Sequence, residues 1–379
     1  MFNGERREMR KSIRLNLKFF PVLNFLLFLI FLNGCSKEPN DVGFGLLPEN
    51  EIFNVKVYED TLEVYVENIQ NFISNSSSNI LFIGNYENIS CAILIRFDIP
   101  DTLKDVKLNW ARLRLFKSGS FIGDSTIPAH FTAHKVLSNY YDTLYDSRVI
   151  GEFNSVPDSV NYLKIDTSVV REWFLGRNYG LYLKPQNYGV IWGFNSLDVM
   201  LFTPALEVEI QKDNGRIDTV RFFYGSDGYI ARSTGEIDTN YIVLQSGVGL
   251  RSILKFDISK VPKNIIVNRA EISLYLKEKT KYGTGGVDSL LASFVTNSEL
   301  LKKSLGGFEG NYLVLKNPLD TLEYIIPVTT PVQRWINGET NNGILLRCFY
   351  EQDNFDRFVF YFKDRRPKLK IYYTTKPGI

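Results

Sequence analysis

Histidine is almost missing from this chain: there are two in 379 residues, His130 and His134. Cysteine is nearly as scarce, with three residues, and tryptophan numbers four. Charge of either sign is not in excess, at 44 Lys+Arg against 42 Asp+Glu. No apolar run reaches the roughly 20 residues that a membrane-spanning helix needs. Each scarcity excludes something. His130 and His134 lie in AHFTAHKVL, which alternates like a strand. Four residues apart on a strand they stand about 13 Å from one another, too far to share a zinc ion, so both are expected to face solvent. Beyond Cys35 only Cys91 and Cys348 remain, each in an apolar strand pattern, so the chain is not a disulfide scaffold and both read as small buried hydrophobes. The charge balance carries no basic surplus for nucleic acid. No GxSxG, HExxH, Walker A or dinucleotide fingerprint occurs, so no catalytic constellation is on offer.

What is present begins at the N-terminus. Arg6, Arg7, Arg10, Lys11, Arg14 and Lys18 precede FFPVLNFLLFLIFL, residues 19–32. A basic segment followed by a 14-residue apolar one is the pattern of a secretory signal. Leu32-Asn33-Gly34-Cys35 resembles a bacterial lipobox, which implies cleavage after residue 34 and acylation of Cys35. Residues 1–34 are then the leader and 35–52 a lipidated tether, and two or three acyl chains anchor stably. Ser36-Lys37-Glu38 resembles the signal that sends lipoproteins of Bacteroidota to the outer face. The expected location is therefore the outer membrane, lipid-anchored and cell-surface exposed, with the periplasmic face as the alternative. From Cys35 onward the chain has 38 basic and 40 acidic residues.

The remainder repeats itself. ILIRFDIPDTLKDVKLNWARLRLF (93–116) aligns without a gap on SILKFDISKVPKNIIVNRAEISLY (252–275), with seven of 24 positions identical. Phe97/Phe256 and Asp98/Asp257 are among them. Val169–Gly176 with Asn178-Tyr179-Gly180 recurs as Pro331–Gly338 with Asn341-Asn342-Gly343, and Thr203–Val208 recurs as Arg366–Ile371. Three blocks in one order mark a duplication, with repeats at 53–212 and 217–376 joined by the polar QKDNGR. Within each block apolar and polar residues alternate with period two, and β-branched and aromatic residues dominate. The expected fold is all-β: two tandem jelly-roll-like β-sandwiches. Each is expected to fold from its own strands, with Trp173 and Trp335 as core residues on short helical turns. Asp98 and Asp257, at strand ends, are expected to hydrogen-bond turn amides.

The blocks LIRFDIP…ARLRLF, LKFDISKVP…AEISLY, VREWFLG…NYG and VQRWING…NNG resemble the DNRLRE, or disaggregatase-related, β-sandwich, whose relatives include carbohydrate-binding module family 96. That resemblance implies a jelly-roll framework across both repeats and, less directly, glycan binding.

Four residues stand out as candidates for glycan contact. Trp110, Arg112 and Arg114 share the strand face opposite Ala111, Leu113 and Leu115, a combination suited to acidic sugars through stacking and charge-assisted contacts. Trp192 lies in NYGVIWGF, which the second repeat lacks. The second copy carries Arg269, Glu271 and Ser273 where the first has Trp110, Arg112 and Arg114, so its face differs. A structural calcium is the only cofactor such loops suggest, and no DxDxDG-type run supports it. Asp-Ser and Asp-Thr steps such as Asp101-Thr102-Leu103 and Asp320-Thr321-Leu322 resemble O-glycosylation sequons of Bacteroidota. The functional expectation is a non-enzymatic envelope lipoprotein that binds glycan or adheres. A structural lipoprotein contacting other envelope proteins is the alternative, and a polysaccharide-degrading enzyme the weakest reading. Expected partners are the membrane, through lipid, and polysaccharide or envelope protein.

Overall fold

The computed structural model describes residues 55–59, 62–70, 75–138, 144–282, 289–303 and 306–375. The leader, Cys35 and the tether lie outside them. Residues from Val57 onward form one compact unit. It is 54% strand and 8% helix, arranged as two curled sheets, so the fold is all-β and sandwich-like.

The first repeat supplies β1 (Lys56–Tyr58), β2 (Val64–Gln70), β3 (Ile80–Tyr86), β4 (Ile89–Phe97), β5 (Lys107–Gly123) and β6 (Ala129–Lys135). It continues with β7 (Gly151–Ser155), β8 (Val160–Ile165), β9 (Leu181–Pro185), β10 (Val190–Asn195) and β11 (Ala205–Gln211). The second supplies β12 (Ile217–Phe222), β13 (Gly225–Ser233), β14 (Tyr241–Gln245), β15 (Leu250–Phe256), β16 (Ile265–Thr280) and β17 (Leu290–Val295). It ends with β18 (Phe308–Lys316), β19 (Glu323–Pro327), β20 (Ile344–Cys348), β21 (Arg357–Tyr361) and β22 (Lys368–Thr375).

The duplicated block forms the spine of each half. On β5, Ala111, Leu113 and Leu115 are buried while Arg112 and Arg114 point outward, as period-two alternation requires. A bulge opposite Glu209 and Ile210 lets Leu108 join Ala111 on the inner face without turning Trp110 inward. β5 then bends and pairs with β10 in its later half. β16 does the same, pairing first with β22 and β19 and later with β21. One long strand thus serves both layers of each sandwich.

The Trp segments are two-turn helices. In Thr167–Phe174, Asp166 accepts from the Ser168 amide at 2.8 Å and caps the start, and Val169, Val170, Trp173 and Phe174 face the core. The counterpart Thr329–Ile336 buries Pro331, Val332 and Trp335. The Asn-x-Gly step that follows each helix has a common cause. Asn178 Nδ2 donates to the Phe97 carbonyl at 2.6 Å, and Asn341 Nδ2 to the Phe256 carbonyl at 2.8 Å. Gly180 and Gly343 both sit at φ +95°, and a Cβ on either would stand 2.7 Å from the backbone oxygen of Ile95 or Leu254. Only glycine fits this left-handed, backbone-to-backbone approach. Phe97 and Phe256 are themselves 2% and 1% exposed.

Sheet membership crosses the repeat boundary. β13, from the second repeat, pairs with β4 of the first over nine residues, Gly225↔Phe97 to Ser233↔Ile89. β2, from the first repeat, pairs with β15 of the second, Val64↔Phe256 to Gln70↔Leu250. β12 borders β11, and β1 borders β22. The two repeats, 53–212 and 217–376, have therefore exchanged their first two strands. The expectation that each segment builds its sandwich from its own strands gives way to this reciprocal exchange. The cores are joined as well: Val243, Val248, Leu250, Phe355 and Val359 belong to the cluster that holds Leu81, Ile93 and Leu113. At that seam Phe355 meets Phe82 edge-on at 5.1 Å, and Arg251 grips Glu351 through two hydrogen bonds of 2.9 and 2.7 Å in a buried pair.

Candidate functional site

The outer face of β8, β5, β11 and β12 gathers the residues that the sequence singles out on β5. Register sets Arg112 beside Lys164 on one side and Glu207 on the other, with Arg221 beyond Glu207. The Glu207 side chain is 1% exposed and lies at the centre of three arginines. Arg112 Nε donates to it at 2.8 Å, Arg221 Nε at 2.8 Å, and Arg114 stands 3.2 Å away. Burial pushes the Glu207 carboxyl up. The hydrogen bonds from Arg112 and Arg221, with the charges of Arg112 and Arg114, more than offset that and hold it below the usual carboxylate range. One anion thus meets three cations; with Glu209, opposite Trp110 on the same face, counted as well, the three arginines leave a surplus of one positive charge before Lys164 is added.

Aromatic rings frame the arginines. The Arg112 guanidinium lies 5.0 Å from the Trp110 ring centre and 4.0 Å from that of Tyr162. Arg114 lies 5.0 Å from Phe116 and 5.8 Å from Phe223. Such stacking fixes the planar forks; the Arg112 side chain remains 38% exposed and that of Arg114 17%. Among the described residues no further strand layer covers the face, and Tyr162 is 47% exposed. At one end Trp110, Asn109, Gly151, Lys164 and Asp166 line a cleft of about 590 Å³. At the other, Arg114, Phe116, Phe202, Thr203, Phe223 and Tyr224 line one of about 470 Å³. The second repeat has no such arrangement. There Arg269 pairs with Glu271 on its own strand, and Lys370 with Glu59.

Trp192 does not belong to this face. It is 1% exposed, held between β3 and β5, with its indole N–H donating to the Ile127 carbonyl at 3.2 Å. A ring sealed in the core offers no platform to a sugar, and its place among glycan candidates is corrected on that ground. Trp173 and Trp335 are core residues, 3% and 4% exposed.

The histidines divide. His130 is partly exposed and faces Glu152 at 2.8 Å. His134, expected in solvent, is 5% exposed, with Nε2 against the Thr132 hydroxyl at 2.9 Å and Nδ1 against the Asp146 carbonyl at 3.0 Å. The segment around Tyr145 closes over that strand face, and this cover is not visible in the alternation.

Asp257 accepts from the Ser259 amide at 2.9 Å, a turn role, whereas Asp98 lies 3.6 Å from Arg96. Among the described residues no group of three or more His, Cys, Asp or Glu stands close enough to hold a metal ion. Cys91 and Cys348 are buried free thiols, and burial pushes the Cys348 thiol up to about 12.

Glu207, Arg221 and Tyr162 escaped the sequence reading. Each reaches the site across a strand pairing, and no spacing within one strand reports who the neighbour is. No family model matches the chain, and no curated protein shows significant similarity to it.

Proposed function

We propose that this chain is a non-enzymatic, lipid-anchored protein of the outer membrane surface that binds an acidic glycan across the outer face of β8, β5, β11 and β12. One observation carries the reading: three arginines gather around a single buried carboxylate, framed by aromatic rings of which Tyr162 and Phe223 are exposed. Planar guanidinium forks suit the carboxylates of uronic acids, and the rings suit the apolar faces of pyranoses. The clefts beside Trp110 and Arg114 give a chain of sugars room to run across the strands. The resemblance of the duplicated blocks to a β-sandwich with glycan-binding relatives points the same way.

A second reading has its own support. Met200, Leu201 and Phe202 are 97%, 74% and 67% exposed, and Tyr224 is 83% exposed, at the rim of the Arg114 cleft. Apolar loops this open suit contact with another envelope protein, the role of a structural lipoprotein.

The test uses oligogalacturonate and oligomannuronate against the soluble protein in titration calorimetry. Binding is expected to weaken as salt rises, because the contacts are charged and solvent-exposed. Arg112→Ala is expected to weaken it about tenfold, roughly 1–2 kcal/mol for a charge-assisted contact. The glycan reading fails if neither uronate binds, or if Arg112→Ala and Arg114→Ala leave the affinity unchanged.

A further inference from the structure

The seam between the repeats carries a second groove, independent of the arginine face. The tip of the β3–β4 hairpin, Tyr86 and Glu87, meets the end of β5 and the segment after β16. Tyr86, Glu87, Phe121, Gly123, Lys281 and Tyr282 line a space of about 340 Å³. Clefts between packed modules are where small-molecule sites concentrate.

This groove is ordered around Glu87. The residue sits at φ +49°, a left-handed conformation unusual for glutamate. Its carboxylate accepts the Tyr282 hydroxyl at 3.1 Å, and its backbone carbonyl accepts the Tyr188 hydroxyl at 3.0 Å. Tyr282 is held at its other end too, its amide donating to the Asp356 carboxylate at 3.1 Å. Tyr86 meets the Tyr282 ring edge-on at 6.3 Å. It also lies so close over Gly123, at φ +89°, that a Cβ there would stand 2.6 Å from the ring. Tyr188 remains 66% exposed although its hydroxyl is tied down. Three tyrosines from both halves of the molecule are thus fixed in place before any ligand arrives, with little ring freedom left to lose on binding.

We propose that this seam groove binds uncharged sugar rings, stacked on Tyr282 within it and on the exposed Tyr188, which is tied to Glu87 beside it, with their hydroxyls turned to Glu87 and Lys281. The local chemistry selects among ligands. Glu87 opposes an acidic sugar. A polyproline segment would suit the rings but has too few N–H donors to offer the carboxylate. A neutral pyranose offers both an apolar C–H face and several hydroxyl donors.

Cellohexaose, laminarihexaose and mannohexaose are the probes, titrated against the soluble protein while tyrosine fluorescence is followed, with a proline-rich peptide alongside. At least one hexasaccharide is expected to bind. Tyr188→Ala and Tyr282→Ala are each expected to weaken it about tenfold or more, the loss of a well-packed ring. Tyr188→Phe keeps the ring and is expected to stay near the native affinity. Tyr188 is exposed enough that its truncation leaves melting unchanged, so a loss there is not an unfolding effect. Arg112→Ala, which tests the uronate face, leaves this binding untouched. The proposal is overturned if no hexasaccharide binds, if the tyrosine variants bind as the native protein does, or if only the peptide binds in a tyrosine-dependent way.

Discussion

Among the described residues no cation balances the buried carboxyl of Asp227. It lies on β13, 4% exposed, and its one strong partner is the Leu197 amide, which donates at 2.7 Å. Burial pushes its pKa up to about 7, the Leu197 hydrogen bond works against that shift, and the nearby Asp198 charge adds to it. The folded state therefore holds this proton far more tightly than the unfolded chain does. The stability it contributes is fully present below the ordinary aspartate value of 3.8 and is lost as pH rises through about 7. Asp227→Asn keeps an acceptor for Leu197 and removes the charge. It is expected to be more stable than the native protein at pH 8 by an amount on the order of a few kcal/mol, by clearly less at pH 5, and to match it only below 3.8. Calorimetric melting at both pH values checks this; an equal gap at pH 5 and 8 would show that Asp227 does not titrate between them. The contrast with Glu207 is instructive, since that carboxylate is just as deeply placed but three arginines hold it ionised. Neither environment is written beside its residue in the chain. DGYIA reads only as a strand with an acid at its start, and ALEVEI only as alternation. The outward pointing of Arg112 and Arg114 follows from period two and was legible. The partner they converge on was not.

At the scale of elements, alternation locates the long strands well because inward and outward positions differ in kind. Ala111, Leu113 and Leu115 on β5 and Ala270, Ile272 and Leu274 on β16 are all buried. What alternation does not encode is which edge a strand joins. The edges of β4 and β15 that receive β2 and β13 carry partly duplicated sequence, so alternation alone assigns neither strand to an edge. In the structure β2 pairs with β15 and β13 with β4. The exchange has a mechanical signature. Removing residues up to Gln70 would strip β2 from an edge in the second repeat and leave the first repeat's β13–β4 pairing intact. Amide exchange followed by mass spectrometry is expected to speed up across Leu250–Phe256 in that truncation, with Ile89–Phe97 still protected. Faster exchange at Ile89–Phe97 instead would mean that each repeat keeps its own first strands.

The whole molecule combines a duplicated body with an N-terminal segment, expected to be a leader and tether, that the described residues do not include. Duplication was legible because three blocks recur in order, and the Asn178 and Asn341 clamps supply a physical reason for one of them. The anchoring end rests on chemistry that can be tested directly. Among the described residues no helix is long and apolar enough to cross a membrane; the attachment proposed from the sequence is through acyl chains on Cys35. From Cys35 to β1 is about twenty residues, a reach of at most about 70 Å when fully extended. That length lets an anchored protein present its sheet faces well clear of the lipid headgroups. β1 and β2 follow the tether directly and lie in the second repeat's sheet. A pull on the anchor would therefore load the second repeat first, and the exchanged strands would pass that load to the first. If Cys35 carries the lipid, cells fed labelled palmitate are expected to mark the native protein and not Cys35→Ser. The variant should either retain its apolar leader or be released into the aqueous phase on detergent separation, because it lacks the two or more acyl chains that anchor stably. Label on the Cys35→Ser protein would place the lipid elsewhere and end this account of the anchor, while the sheet faces and their proposed ligands would stand or fall on their own tests.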